Sequence, residues 1–447
     1  MSLGASGLKR VALVSVVLVL ASISFLSCGY SNSSYYKPPS GLTTRVLASQ
    51  SVASPTALPG LLIVNGANDT LGRGGISAGS SPGLMAISPD RKTVLSFDSV
   101  SNSVEVVNDT TETAAGSLQL PGPTTSMAVL ATSFAYAAVP GAILNGSAPG
   151  AVVVMNVGAG GIAATIGVPN AQTLVASPDG TQLLVFSGDS DSVTIFYPLL
   201  VNTSVPVTVT VPGFDRPVSG IFSADGSTAY ILNCGAQCAG TQASVQILDF
   251  TTSPPSAGAL VPVNGATVGI LAGSTLYVAG KGTPTGPLCT SITNAAPTQA
   301  QYCGTLDLVD LTTLQDPYFN NPAAEIAITD GYHDRIDMSS DGQLFIGSYG
   351  CTTVGNVNNP QGAEVRGCLS VFDTTTPGNS AAVIPPDNGD VTGFQSFTSR
   401  HAEYVAEGGN LRVYDTTKDI LLVDSFISTG TVTITGKVVD VKAIDFF

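Results

Sequence analysis

The segment DGYHDRID, residues 330–337, brings together three side chains that could do chemistry. His333, Asp334 and Arg335 are consecutive and supply an imidazole, a carboxylate and a guanidinium. Together these groups could carry out acid–base catalysis or bind an anionic group. The alternative is a surface turn in which the carboxylate and the guanidinium form a local ion pair. The second of the two histidines, His401, is expected to be structural.

Six of the seven cysteines form three neighbouring pairs along the chain. In an exported protein such pairs are expected to be disulfides. A zinc site would need four convergent ligands, and a thioredoxin-like redox pair would need Cys-x-x-Cys at the start of a helix. Three residues separate the closest pair, so disulfides are favoured over both alternatives. The pairs are Cys234 with Cys238, Cys289 with Cys303, and Cys351 with Cys368.

The seventh cysteine, Cys28, follows a segment with the three parts of a secretory signal. Lys9 and Arg10 precede the apolar run VALVSVVLVLASISFL, which Ser27 ends. This run is shorter than the roughly 20 residues of a membrane-spanning helix. FLSC resembles a bacterial lipoprotein box, although it has Phe and Leu where the box usually has Leu and a small residue. We expect a signal peptide over 1–27 and a lipidated Cys28 with a flexible tether over 28–44. Ordinary secretion and an uncleaved anchor are the alternatives.

The composition predicts an all-β protein that does not bind nucleic acid. Charged residues make up 11% of the chain, against roughly 25% in an average globular protein. The chain has 49 Gly and 28 Pro and is rich in Val and Thr, which favours short strands joined by turns. Its net charge of −15 argues against a nucleic-acid partner and against simple electrostatic adhesion to an anionic membrane.

A repeated unit predicts how these strands are arranged. The unit is an apolar strand, a Ser-Pro-Asp-Gly-like turn, a second strand, a variable loop, a third strand that ends in Asp or Asn, and a polar fourth strand. We expect the Asp and Gly of the turn to have only a structural role. First strands are predicted to begin near residues 83, 126, 172, 218, 266, 335 and 392. This spacing is typical of the four-stranded blades of a β-propeller.

Two terminal fragments predict how the ring closes. KVVDVKAIDFF at the C-terminus has the pattern of a lone first strand, whereas RVLASQS, GLLIVNGAND and RGGISAG near the N-terminus match strands two to four. Joined, they would complete one more blade and remove the exposed edges of an open array. We therefore expect a single propeller domain over 45–447, with eight blades favoured and seven as the alternative.

The repeats resemble the YVTN-type β-propellers, a group that includes surface-layer propellers and lactonase-like seven-bladed propellers. The resemblance covers roughly residues 45–447 and rests on SPD at 88–90, SPDG at 177–180, YVAG at 277–280, YVA at 404–406 and the third-strand endings such as Asp249 and Asp310. It implies a propeller fold and allows a lactonase-like activity. Lactonase-like propellers use histidine, acidic and arginine side chains around the channel, but no such residue can be carried over to a matching position here.

The cysteine pairs point to a possible binding surface. Each pair is predicted to lie between strands two and three of one blade, in three consecutive blades. In propellers these loops lie on the same face as the connections between blades, around the mouth of the channel. Long ordered loops on a rigid scaffold often bind ligands. The candidate binding residues are Lys281, Tyr302, Tyr349, Asn356, Asn358, Glu364 and Arg366.

The sequence favours a binding module over an enzyme. It contains no tryptophan, no Cys-x-x-Cys-His, no Walker loop and no Gly-x-Ser-x-Gly elbow, so we expect no cofactor. GDSDS at 188–192 is interpreted as a solvated turn rather than a calcium site. We expect a membrane-anchored lipoprotein of the bacterial envelope, periplasmic or at the outer surface, that binds an envelope protein or glycan. The alternatives are a lactonase-like hydrolase at the channel mouth and a surface-layer or assembly component.

Overall fold

The computed structural model of the protein describes most of the chain from residue 38 onward. The described residues are 38–51, 59–130, 133–144, 146–198, 206–281, 304–321, 324–351, 354–355, 365–366, 368–376, 382–383, 385, 389–417, 420–423 and 437–445. They form short β-strands and two 3-10 turns, Gly235–Cys238 and Thr398–Arg400. No helix in these ranges is long and apolar enough to span a bilayer.

The strands follow one another with short connections, as the Gly- and Ser-rich turns predict. In the first half of the chain they are β1 (Arg45–Ser51), β2 (Gly60–Asn65), β3 (Thr70–Ile76), β4 (Pro82–Ile87), β5 (Thr93–Asp98), β6 (Ser103–Asn108), β7 (Thr113–Gln119), β8 (Ser126–Val129), β9 (Phe134–Val139), β10 (Ala151–Asn156), β11 (Gly161–Gly167), β12 (Ala171–Ala176), β13 (Leu183–Ser187), β14 (Ser192–Tyr197) and β15 (Val207–Pro212).

The second half repeats the same pattern. Its strands are β16 (Pro217–Phe222), β17 (Thr228–Asn233), β18 (Ser244–Asp249), β19 (Ser256–Pro262), β20 (Val268–Ala272), β21 (Thr275–Gly280), β22 (Gly304–Asp310), β23 (Ile326–Ile328), β24 (Tyr332–Met338), β25 (Gln343–Tyr349), β26 (Val354–Gly355), β27 (Val365–Arg366), β28 (Leu369–Asp373), β29 (Val391–Phe397), β30 (Ala402–Glu407), β31 (Asn410–Asp415), β32 (Ile420–Val423) and β33 (Lys437–Ala443).

These strands form eight antiparallel blades in a ring, so the eight-bladed propeller is confirmed. Blades 2 to 6 are β4–β7, β8–β11, β12–β15, β16–β19 and β20–β23, and blade 8 is β29–β32. Blade 7 contains β24, β25 and β28, with a bridge between Val371 and Val383 at the position of the fourth strand. The small hairpin β26–β27 lies in the loop between β25 and β28.

Blade 1 closes the ring as the terminal fragments predict. Its strand order is β3-β2-β1-β33, so the C-terminal strand is the innermost strand of a blade whose other three strands are N-terminal. Val46 of β1 pairs with Ala443 of β33, and Ser51 pairs with Lys437. The hydrogen bonds between the two ends of the chain therefore leave neither β1 nor β33 as a free edge at this joint.

The hydrophobic core lies between the blades rather than at one centre. The middle strands of a blade have neighbours on both faces, and accordingly residues 135–139 of β9 and 151–155 of β10 are all buried. In the outermost strand β7 only Leu118 is buried. Side chains of adjacent blades form mixed clusters, of which one contains Leu95 and Val104 of blade 2 with Ala137 and Val153 of blade 3.

The Ser-Pro-Asp-Gly turns have the structural role that the sequence predicts. The Oγ of Ser177 donates a hydrogen bond of 2.6 Å to Asp179 Oδ1, and Gly180 has a φ of +70°. The same serine-to-aspartate bond is present in the turns of blades 2 and 5. This hydrogen bond holds the pKa of the Asp179 carboxyl below its usual value, so the turn carries a negative charge on the surface.

A buried ionic network reinforces the closure of the ring. Arg45 at the start of β1 is buried and forms ion pairs with Asp109 at 3.1 Å and Glu112 at 3.0 Å, both of blade 2, and with Asp445 at 2.9 Å, just after β33. The backbone N–H of Arg45 also donates to Asp445 across 400 residues of sequence. One guanidinium thus joins the two termini to the next blade.

Replacing Arg45 is expected to weaken the closed ring. In Arg45→Met the three carboxylates lose their shared cation, and removing one partner of a buried ion pair costs about 3–5 kcal/mol. Urea unfolding should show a lower midpoint than for the wild type. Arg73→Met, at an exposed position of β3, is the matched control and should unfold like the wild type. Equal midpoints for the two variants would show that the network does not stabilise the closure.

Candidate functional site

Both described disulfides lie on one end of the propeller, which we call the disulfide face. It carries the loops between strands two and three of each blade and the connections between blades. Cys234–Cys238 follows β17 of blade 5, and Cys351–Cys368 joins β25 to β28 of blade 7. These two pairs are confirmed as predicted. The other predicted cysteine sites lie outside the described residues: Cys28, Cys289 and Cys303.

A cavity of about 700 Å³ lies in the centre of the ring. The innermost strands of blades 1 to 7, or the residues just before them, line it, because every innermost strand faces the axis of a closed propeller. Cys238 and Tyr349, which border the two disulfide loops, are part of the lining. The volume is within the range of about 300–1,000 Å³ that is typical of small-ligand pockets.

Side chains on the innermost strands bind the backbone of the next blade around this cavity. Asp440 of β33 is buried and accepts a hydrogen bond of 2.9 Å from the N–H of Met85 in β4, while Lys442 lies 3.0 Å from the same carboxylate. Thr267 donates a bond of 2.7 Å to the carbonyl of His333. The lining is therefore held in place by contacts between blades.

Blade 7 contributes four side chains to the mouth of the cavity, which we call the channel-mouth cluster. Tyr332, Asp334 and Arg335 lie at the start of β24, and Tyr349 ends β25. The two tyrosines are directly opposed across the strands, with ring centroids 5.3 Å apart. Tyr332 is the more buried of the two, and burial raises its pKa to about 12, so its phenol remains a hydrogen-bond donor.

Asp334 and Arg335 form the ion pair that the sequence allowed, but inside the cavity rather than on a surface turn. Arg335 Nη1 lies 3.0 Å from Asp334 Oδ2, and Arg335 Nε donates to the carbonyl of Thr392 at 3.0 Å. Burial raises the pKa of Asp334, and the neighbouring guanidinium opposes that effect. The pair places a guanidinium donor and a carboxylate acceptor side by side in this wall of the cavity.

His333 does not face the channel mouth, contrary to the expectation from the sequence. Its side chain is 0% exposed and points at blade 6, where Nε2 donates a hydrogen bond of 2.9 Å to the carbonyl of Thr329. A Cβ on Gly304 would come within 2.4 Å of the imidazole, so only glycine permits this packing. Burial lowers the pKa of His333 to about 4, and the ring is neutral at physiological pH.

The predicted binding residues lie in different parts of the structure. Tyr349 is 46% exposed and lines the cavity. Lys281 is exposed at the end of the described part of its loop, and its N–H bonds to Gln237 in the loop of blade 5. Arg366 belongs to β27. The remaining candidates lie outside the described residues: Tyr302, Asn356, Asn358 and Glu364.

Two polar motifs remain: His401, which lies away from the cavity, and the turn at 188–192. His401 lies in the turn between β29 and β30 on the opposite face, with Nδ1 2.7 Å from Asp341. The turn at 188–192 forms an ion pair with Arg216, whose Nε lies 3.7 Å from Asp191 Oδ1. Within the described part of the chain, no group of three or more His, Cys, Asp or Glu side chains is placed to hold a metal ion.

A pair of buried carboxyls lies beneath the disulfide face in blade 6, and no sequence motif indicates it. Asp307 of β22 is fully buried and accepts hydrogen bonds from the backbone and side chain of Asn264. Burial and the nearby Asp316 raise the pKa of Asp307 well above its usual value, and burial raises the pKa of Asp316 to about 6. The two groups therefore titrate as a pair.

Comparisons with known proteins support the fold. No protein-family model matches the chain, and no curated protein sequence matches it. The solved structure of the dihydro-heme d1 dehydrogenase NirN is 13% identical and aligns over 86% of this chain and 72% of its own, with a TM-score of 0.57. A candidate 6-phosphogluconolactonase of Bacteroides fragilis is 12% identical and aligns over 90% and 98%, with a TM-score of 0.50. At these identities the similarity is one of fold, and a lactonase-like propeller is among the neighbours.

The burial of His333 predicts that it does not titrate near neutrality. A protonated Nδ1 would be a buried charge without an acceptor among the described residues, so the charged form is disfavoured. In an NMR titration of protein with ¹⁵N-labelled histidine, one imidazole should remain neutral from pH 8 to pH 5. The signal that disappears in His401→Gln belongs to His401, so the remaining signal is that of His333. Titration of His333 near pH 6.5 would mean that the ring is accessible.

The carboxyl pair in blade 6 predicts a pH-dependent stability. A folded pKa of about 6 against roughly 3.9 in the unfolded chain means that the folded state holds the proton more tightly. This contribution is present at low pH and is lost as the pH rises from about 4 to about 6. Asp316→Asn should match the wild type at pH 4 and be more stable than the wild type at pH 7.

Urea unfolding at the two pH values measures this difference. The control is Asp189→Asn in an exposed turn, which should follow the wild-type profile. If the difference in stability between Asp316→Asn and the wild type is the same at both pH values, the pair does not titrate in this range.

Proposed function

We propose that the protein is an exported, membrane-anchored binding protein that holds its ligand at the disulfide face of the central channel. The observation that carries this proposal is the position of the cavity. It opens where Cys238 and Tyr349 border the two disulfide loops, so rigid blades line its walls and cross-linked loops border its mouth. Sites built in this way bind small ligands or a projecting part of a larger partner.

The disulfides support the exported location. Disulfides persist in secreted and periplasmic proteins and are rare in the reducing cytosol. Both described bonds lie in loops at the mouth of the cavity rather than between blades. Their effect is therefore to restrict the loops near the cavity, which lowers the entropy that ligand binding has to overcome.

The position of the first residue of β1 supports an anchor on the side away from the ligand. β1 is the second strand of blade 1, so it starts at the face opposite the disulfides, and its first residue, Arg45, lies there. Ser40, which precedes β1, donates hydrogen bonds to Glu112 on the same side. A tether from a lipidated Cys28 would thus join the opposite face, and the disulfide face would point away from the membrane.

The charge of the opposite face argues against adhesion of that face to an anionic membrane. It carries a ring of aspartates in the blade turns, and a hydrogen bond from a Ser or Thr in each turn lowers the pKa of these carboxyls. An anionic membrane surface repels such a ring. The propeller would therefore be held off the bilayer at the length of its tether. The ring consists of Asp90, Asp179, Asp225, Asp249, Asp310 and Asp373.

A lactonase-like hydrolase is the second candidate, and the presence of Asp334 and Arg335 in the cavity favours it. The burial of His333 counts against it, because the general base that the sequence offered has no access to a substrate in the channel. A binding role needs no such base. It requires a fixed cavity with donors and acceptors, which the channel-mouth cluster provides.

Binding is tested with full-length protein, purified oxidised in detergent, by thermal shift against solubilised envelope glycans, envelope proteins and lactones. A ligand of the folded state raises the melting temperature with concentration and remains intact. Replacing residues 356–364 by a short Gly-Ser linker, which keeps both cysteines, should reduce the shift, as should Tyr349→Ala. Arg73→Met is the control and should retain it. Consumption of a lactone that stops in Arg335→Met would instead favour the hydrolase.

A further inference from the structure

We propose that the channel-mouth cluster is a binding site for a neutral saccharide. This inference rests on the proposed binding function and names the chemistry of the ligand. In this proposal the principal contacts with the ligand come from blade 7 rather than from the disulfide loops. The residues are Tyr332, Tyr349, Asp334 and Arg335. Each of these residues is fixed by a strand or by a contact with the neighbouring strand.

The tyrosine pair presents a supported aromatic face. Tyr332 is mostly buried and packs against Tyr349 with ring centroids 5.3 Å apart at a tilt of 39°. Tyr349 is 46% exposed, which leaves part of its ring open toward the cavity. A tyrosine ring combines an apolar face with a polar tip. The C–H face of a pyranose can pack on such a ring while its hydroxyls reach the polar groups around it.

The ion pair beside the tyrosines presents one donor and one acceptor at adjacent positions. Arg335 uses Nε for Thr392 and Nη1 for Asp334, and its Nη2 makes no hydrogen bond to the described residues. Asp334 Oδ1 is shielded from water and likewise has no hydrogen-bond partner among the described residues. A hydroxyl both donates and accepts. Two neighbouring sugar hydroxyls can therefore satisfy both groups after a small rotation of the carboxylate.

The charges of the cavity favour a neutral ligand over an ion. Its described lining holds two cations, Arg335 and Lys442, and each is paired at 3.0 Å with a carboxylate, Asp334 or Asp440. An anionic or cationic ligand would have to compete with one of these pairs. A polyhydroxylated ligand adds hydrogen bonds without displacing either.

The opposite wall supplies further groups of the same kind. Blades 3 and 4 bring hydroxyls and an amide to the cavity, and blade 5 adds another hydroxyl. The side-chain amide of Gln172 donates to Asn170 at 3.2 Å, which leaves its carbonyl oxygen as an acceptor. A ligand that spans the channel would thus meet an aromatic wall on one side and a polar wall on the other. The polar residues are Thr125, Ser126, Gln172, Thr173 and Ser219.

The test is isothermal titration of full-length oxidised protein in detergent with maltotriose, cellotriose, chitotriose and, as a charged probe of the same length, trigalacturonic acid. We expect at least one neutral trisaccharide to bind and trigalacturonic acid to bind at least tenfold more weakly. Tyr349→Ala and Arg335→Met should each weaken binding at least tenfold, and Tyr349→Phe should lose less than threefold. Arg73→Met, on the outermost strand of blade 1, should bind like the wild type.

The outcomes separate this inference from the proposed function. Trisaccharide binding that survives Tyr349→Ala and Arg335→Met would overturn the channel-mouth site. If none of the sugars binds but an envelope protein binds in a manner that depends on residues 356–364, the saccharide inference is wrong and the binding function stands. If neither class binds, the proposed function itself fails. Circular dichroism melts of each variant show that a loss of binding does not come from unfolding.

Discussion

The closure of the ring by the C-terminal strand is the constraint on which the rest of the structure depends. β33 and β1 come from opposite ends of the chain, and bringing such distant segments together costs conformational entropy. The ladder between these two strands and the buried contacts of Arg45 offset that cost. Without the closure, one blade would lack its innermost strand and two blade faces would be exposed to water. With it, every blade packs against two neighbours.

The channel and its chemistry follow from that closure. Eight innermost strands converge on one axis, so residues far apart in sequence become walls of one cavity. Asp440 near the C-terminus bonds to Met85 near the N-terminus, and Lys442 is neutralised by the same carboxylate. Deep between the blades, burial and the negative charge of Asp337 raise the pKa of Glu403 well above its usual value. Asp440 and Lys442 are thus held as an ion pair, whereas Glu403 is held in its protonated form.

The two faces of the propeller differ in chemistry for a topological reason. First strands run from the disulfide face to the opposite face, so all of the Ser-Pro-Asp-Gly turns and third-strand endings lie on one side. That side collects carboxylates that stay ionised because their own turns donate hydrogen bonds to them. The variable loops lie on the other side, together with both described disulfides. The proposed tether at the opposite face and the proposed ligand at the disulfide face are consistent with this division.

The repeats in the sequence predict the blades and the closure of the ring and favour eight blades over seven, because these features depend on local patterns. Alternating apolar strands, turn residues that set positive φ, and third strands that end in Asp repeat with each blade, and RVLASQS proved to be β1 residue for residue. Adjacent cysteines in hairpin loops likewise pair locally, as Cys234 and Cys238 do. The direction in which side chains on the innermost strands point depends instead on how the blades pack together. The register shift between His333 and Arg335 places the imidazole against Gly304 of blade 6 and the guanidinium in the channel. His333 therefore has a different environment from Asp334 and Arg335, and neither that difference nor the meeting of Asp307 with Asp316 is encoded by any short motif.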